Sequence, residues 1–178
     1  MIKHALLTTA ILATAISGSV LANEMNIAIH NVDDQGTTTE LGTIHVTETE
    51  FGLLFAPDLS ELASGIHGFH IHEHPDCGPK TNDDGKVVPA GAAGSHFDPE
   101  NTGIHLGPYN AKGHLGDLPA LYVDADGHAN YPVLAPKLEK LTQIQGRAIM
   151  IHAGGDNHSD DPAPLGGGGA RMACGVIK

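Results

Sequence analysis

The 178-residue chain has no tryptophan, only two cysteines, and nine lysines and arginines against 21 acidic residues. Aromatic residues make up 4% of it. Each shortage excludes something. Without a basic surface, and with a formal charge of −12, the chain is poorly suited to nucleic acid or anionic lipid. Neither cysteine sits in a CxxC or CxH pairing, which argues against a cysteine-based zinc site. Windows with a helical apolar period are few, and beyond the first 22 residues there is no long hydrophobic run.

That one apolar stretch reads as an address rather than as structure. "MIKH" is basic, and "ALLTTAILATAISGSV" contains five Thr or Ser and is shorter than the ~20 residues that span a bilayer. "VLA" before "NE" fits cleavage after Ala22. Residues 1–22 are therefore expected to be a signal peptide, and residues 23–178 a single exported domain, free of the membrane after cleavage. Losing Lys3 with the signal leaves the remainder more acidic still. Export makes a disulfide available to Cys77 and Cys174. If paired, they close a loop of nearly a hundred residues, worth up to ~4–5 kcal/mol in chain entropy; the alternative is two buried free thiols.

What the sequence has in quantity is glycine (23), proline (11) and histidine (13). Short alternating segments separated by turn residues predict an all-β sandwich or barrel. "MNIAIHNV", "GTIHVTET", "GIHGFHIHEH", "GRAIMIHA" and "RMACGVI" read as strands, and "ALYVDADGHANYPVL" as a hairpin turning at Asp126-Gly127. Two connections, 75–119 and 153–170, exceed ordinary loops, a length that usually signals function. "LGGGGAR" lacks the Lys-Ser/Thr of a phosphate loop and is expected to be a flexible turn.

The histidines fall into groups. Alternate residues of a strand share a face, so His70 and His72 in "GFHIHEHP" project together while Phe69 and Ile71 point into packing. His74 keeps the same parity, but Pro75 follows and the strand is expected to have ended. "GSHFDPENTGIHLGPYNAKGHLGD" supplies His96, His105, His114 and Asp117, three imidazoles and one carboxylate, the ligand set of a closed tetrahedral zinc site. His152 ends "IMIHAGGDN" at the mouth of the second loop. With zinc supplied, His70, His72 and His152 remain for a second metal. An all-imidazole set suits copper(II), with a fourth ligand gained by sharing one histidine.

"GFHIHE", "GAAGSHFDP", "GHLGDLPAL" and "GGGGARMACGVI", in this order, resemble the copper–zinc superoxide dismutases, in particular their exported bacterial branch. The resemblance runs from about residue 26 to the end. It implies an eight-stranded Greek-key β-barrel or sandwich with two long metal-site loops. It implies one copper ion on His70, His72, His96 and His152, and one zinc ion on His96, His105, His114 and Asp117, with His96 shared. It implies a Cys77–Cys174 disulfide, Arg171 beside the copper to hold the anionic substrate, and Asp156 linking the free nitrogens of His70 and His105. The activity implied is dismutation of superoxide to oxygen and hydrogen peroxide by one-electron cycling of copper, with His96 carrying a proton, in the periplasm. The second loop has no lysine, so Lys112 in the first loop is the candidate for steering substrate. Whether the chain forms a homodimer is left open. His30, His45, His67, His128 and His158 carry no partner motif and are assigned no role in the chemistry. Two rival readings are a non-enzymatic metal-binding domain on the same fold, and a mononuclear zinc hydrolase using His70, His72 and His152 with Glu73 nearby.

Overall fold

The computed structural model describes residues 23–178; the signal peptide expected over residues 1–22 lies outside them. The strands are β1 (Glu24–Asp33), β2 (Gly36–Thr49), β3 (Gly52–Leu59), β4 (Gly65–His67), β5 (Phe69–His72), β6 (Lys80–Thr81), β7 (Val87–Val88), β8 (Leu121–Val123), β9 (Val133–Ala135), β10 (Arg147–His152) and β11 (Arg171–Ile177). Three single-turn 3₁₀ segments are the only helices among the described residues. β6 and β7 pair only with each other, as a ribbon inside the first long loop.

Seven strands form one antiparallel sheet in the order β5-β10-β11-β1-β2-β3-β9, and β4 pairs with β8. β4 and β5 are one run of chain interrupted at Gly68, whose N–H turns aside to bond the carbonyl of Gly154. Counted that way there are eight strands. They curl around one core, and the connections from β3 to β4 and from β9 to β10 cross over, as in a Greek key. No ladder joins β8 to β9, so the sheet is curled without a continuous hydrogen-bonded closure.

The period-two pattern explains the core. Ile27 and Ile29, Ile44 and Val46, Leu53 and Phe55, Phe69 and Ile71, and Ile149 and Ile151 all point inward and are buried. Each fully buried side chain of this size contributes about 1.5–3 kcal/mol. Phe55 meets Phe69 edge-on at 5.8 Å. At the first turn, Asp33 Oδ1 accepts from the N–H groups of Gln35 (2.7 Å) and Gly36 (3.1 Å), closing β1 onto β2.

One local expectation fails. Asp126-Gly127 does form a turn, in which Asp124 N–H bonds the carbonyl of His128, yet β8 and β9 are not a hairpin. β8 pairs with β4 and β9 with β3, because Ala129 exchanges both backbone bonds with Leu59 and draws the chain across to β3. "GLLFAPDL" forms β3 with Pro57 inside it: β9 pairs with Leu53–Phe55 and Ala129 bridges to Leu59, and Pro57, which has no N–H to give, falls in the unpaired gap between them.

Candidate metal centre

β5 and β10 are adjacent, with Ile151 opposite Phe69 and Met150 opposite His70. Phe69 and Ile71 fill the main core, so His70 and His72 stand on the outer face of the same strand. A register shift between Ile151 and His152, where β10 meets β11, sets His152 opposite Arg171 at the strand end.

The free edge of β5 is taken by the first long loop. Phe97 N–H bonds Ile71 O, Ile71 N–H bonds Gly116 O (both 2.8 Å), and Leu118 N–H bonds Phe69 O (3.2 Å). These bonds place His96 opposite His72 and Asp117 opposite His70. Gly116 is required here, because a Cβ would lie 2.4 Å from Ile71 O. The disulfide between Cys77 and Cys174 ties the start of the loop to β11 across 97 residues.

His70, His72, His96, His105, His114, Asp117 and His152 are all buried. One ligand atom from each of His70, His72, His96 and His152 lies within 4.8 Å of the others. His70 Nδ1 and the Nε2 atoms of His72, His96 and His152 have no hydrogen-bond partner. Four buried, unpartnered nitrogens facing one another are costly unless a cation satisfies them. The second convergence is on Asp117. His96 Nδ1 is 3.0 Å and His114 Nδ1 3.3 Å from its Oδ1, and His105 Nδ1 is 3.1 Å from its Oδ2. Ligand atoms of His70, His96, His105 and Asp117 lie within 4.8 Å of one another, the His70 ring stacks on His96 at 3.8 Å, and His114 joins through the carboxylate. His96 thus offers one nitrogen to each cluster.

Asp156 joins them from behind. Its side chain is fully buried; Oδ2 accepts from His70 Nε2 and Oδ1 from His105 Nε2, both at 2.8 Å, and Oδ1 also accepts His158 N–H at 2.7 Å. The outer nitrogens are thereby occupied, leaving Nδ1 of both rings for the clusters. The glycine run is not a flexible turn. A Cβ on Gly166 would lie 2.1 Å from Asp156 Oδ1, and one on Gly168 would lie 3.1 Å from the His152 ring, so the bare backbone packs against the site.

Burial, then the neighbouring His96, pushes His70 down to about 3. Burial with His96 also lowers His152 to about 4, and His72 well below the ordinary imidazole range. Burial lowers His96 too. Neutral rings are what metal ligation needs. His105 goes the other way: burial opposes its charge, but the Asp117 and Asp156 carboxylates outweigh burial and raise it to about 9. Burial likewise opposes the Asp117 charge, yet hydrogen bonds from His105, His114 and His96 hold it well below the carboxylate range. A proton on His105 does for these carboxylates what a metal cation would do.

Arg171 is half-buried and donates to the carbonyls of Ala90 and Gly94 (2.6 Å to the latter). It lines an open cavity of about 430 Å³ with Glu73, His74, Lys80 and Ser95. Lys112 is exposed and is not among the residues lining this cavity or the smaller one beside it; Lys80 lines the first and Lys86 the second. Nothing local in the sequence signals those two lysines, which arrive with the β6–β7 ribbon. His74 is an exposed bend residue after the strand. Glu73 Oε2 accepts Ser95 N–H at 2.8 Å, which braces the backbone next to His96. His67, assigned no role from sequence, is buried with its ring nitrogens 2.8 Å from the carbonyls of His152 and Ala63. His158, likewise assigned no role from sequence, is half-buried, with its own N–H held by Asp156.

An all-β sheet carrying a buried, two-cluster histidine site under a pair of long loops defines a binuclear metalloprotein. The family model described as copper/zinc superoxide dismutase matches residues 40–177, and the chain belongs to that family. The superoxide dismutase (Cu-Zn) 1 of Salmonella typhimurium is 55% identical over 92% of this chain and 92% of its own. That of Escherichia coli is 52% identical over 95% and 96%. The solved copper–zinc superoxide dismutase of Brucella abortus superposes with a TM-score of 0.85 at 49% identity, covering 88% of this chain and all of its own. The monomeric Salmonella enterica enzyme superposes with a TM-score of 0.79 at 52% identity, with the same coverage. The protein is an enzyme of this class, with copper and zinc as its cofactors.

Proposed function

We propose that His70, His72, His96 and His152 hold the copper, that His96, His105, His114 and Asp117 hold the zinc, and that His96 serves both. The observation carrying this is the pair of environments around one ring. His96 Nε2 is an unpartnered member of the four-imidazole group, while its Nδ1 faces Asp117. When bound, copper supplies a one-electron couple that takes one superoxide to oxygen and a second to hydrogen peroxide, while zinc, which has no redox chemistry, is structural.

The protein's part is to bind, orient and protonate. Arg171 has five N–H donors in a rigid fork. Two bonds to Ala90 and Gly94 fix the plane, and the remaining donors present a positive charge to the cavity, where a small anion binds. Superoxide must gain two protons to leave as peroxide. When it is not serving as a ligand, His96 Nε2, facing the copper side, would be the atom that holds one of them, and water supplies the other. Asp156 accepts from Nε2 of both His70 and His105, so that Nδ1 of each ring would be the nitrogen offered to a metal.

The N-terminal segment and the disulfide together support export to the periplasm. Every proposed ligand comes from one chain, so a monomer is competent; a homodimer is compatible with the same site. Metal analysis of His96→Ala after loading with both ions tests the shared ligand. Loss of affinity for both metals is expected, and a variant with both affinities intact overturns the assignment.

A further inference from the structure

Lys137 follows β9 on a backbone fixed to the core. The adjoining Leu138 is fully buried, donates its N–H to Ala135, and accepts from Leu53 N–H. From this fixed point the half-buried Lys137 side chain reaches into the first long loop. Its ammonium donates to the carbonyls of Gly107 (2.9 Å), Asn110 (3.5 Å) and, closest of the three, His114. Three carbonyl acceptors match the three donors of an ammonium group. Lys137 takes part in no ion pair among the described residues, and its hydrogen bonds all go to this one segment.

The segment needs such a tether. Residues 107–114 contain no strand or helix, begin at a left-handed glycine (Gly107, φ 69°), and expose Tyr109, Asn110, Ala111 and Lys112. Its one internal backbone bond among those of the turns and loops, Gly113 N–H to Asn110 O, and the bond His114 N–H to Ile104 O that leaves the segment are both 3.2 Å, at the long end of the usual range. On the other flank, His105 N–H is held by Asp160 Oδ2 at 2.8 Å. The span from His105 to His114 is therefore pinned at its start by the second long loop and at its end by Lys137.

We propose that Lys137 is a positioning residue for zinc, clamping residues 107–114 so that His114 stays aimed at Asp117; this rests on the assignment of His105, His114 and Asp117 to zinc. Without the clamp the segment samples shapes with His114 withdrawn, and apparent affinity falls with the fraction of chains still competent. Residues that hold a ligand in place typically change metal affinity by about 10–100-fold.

The test is zinc release from the copper- and zinc-loaded protein into a chromogenic chelator, with hydrogen exchange of the 105–114 amides measured in parallel. Lys137→Met, which keeps the stem and removes the charge and donors, is expected to release zinc about tenfold faster or more and to lose protection in that segment. Lys137→Arg, which keeps charge and donors, releases zinc more slowly than the methionine variant. Ile144→Val, a core truncation outside both loops, controls for lost stability. If Lys137→Met releases zinc and exchanges its loop amides no faster than that control, the proposal is overturned. A wild type that binds no zinc overturns the underlying assignment instead.

Discussion

Replacing Asp156 with asparagine separates the two metal sites through a single atom. Oδ1 accepts two N–H groups, from His105 and His158, whereas Oδ2 accepts one, from His70. An asparagine at this position keeps its oxygen where two donors converge, so its NH₂ faces His70 Nε2. Two donors cannot face each other, and His70 responds by shifting its proton to Nδ1. That is the unpartnered atom of the four-imidazole group, and protonation removes it as a ligand. A hydrogen bond to a charged group contributes about 1.5–3 kcal/mol, or roughly 10–100-fold in affinity. Asp156→Asn should therefore weaken copper by that factor and zinc by much less. Asp156→Ala, which frees both His70 and His105, should weaken both. Competition against chelators of known affinity measures each metal. Preferential zinc loss in the asparagine variant, or unchanged copper affinity, refutes the tautomer argument.

Arg171→Ala is expected to retain both metals while kcat/KM falls and azide, a small anion, binds more weakly; loss of copper instead would make Arg171 a scaffold residue. Converting Cys77 and Cys174 to serine opens a 97-residue loop, for which chain entropy gives about 4–5 kcal/mol as an upper figure. At about 2–4 °C per kcal/mol for a domain of this size, calorimetry should show Tm lower by roughly 5–20 °C; a shift under about 2 °C contradicts it. Metal-free protein should lose stability as pH falls from about 6.5 toward 4. His70 and His152 titrate at about 3 and 4 when folded but near 6.5 when unfolded, so over that window the unfolded chain binds the extra protons. His105, raised to about 9, has the opposite sign: its contribution is complete below pH 6.5 and is lost as pH rises through 9. Tm of the metal-free protein at pH 4.5 should be lower than at pH 7, and an unchanged or higher Tm contradicts the burial of neutral rings.

The parts of this molecule legible from sequence were those governed by local periodicity or close spacing. His70 and His72 share a face because strand residues alternate, and the same rule puts Phe69 and Ile71 into the core. Pro75 marks the strand end closely enough to leave His74 outside. What stayed hidden depends on pairings between distant segments. Ala129 exchanging bonds with Leu59 cannot be read from "DADGHANYP", and it turns an apparent hairpin into two strands with different partners, β4 and β3. The glycine run looks flexible in sequence, because nothing there reveals that Asp156 and His152 press against it. Lys80, His67 and Lys137 carry no motif. Each acquires its place from a neighbour brought in by the disulfide-tied loop, by the end of β10, or by the loop after His105.

The central claim is that the buried histidine clusters are a working copper–zinc centre for superoxide. Its most direct test is the decay of superoxide, followed optically after pulse radiolysis, in the presence of purified protein carrying one copper and one zinc per chain. Wild type should accelerate the decay in proportion to its concentration over many turnovers, and His152→Ala should lose most of that effect. Fully metallated wild type that leaves the decay at its uncatalysed rate would contradict the account.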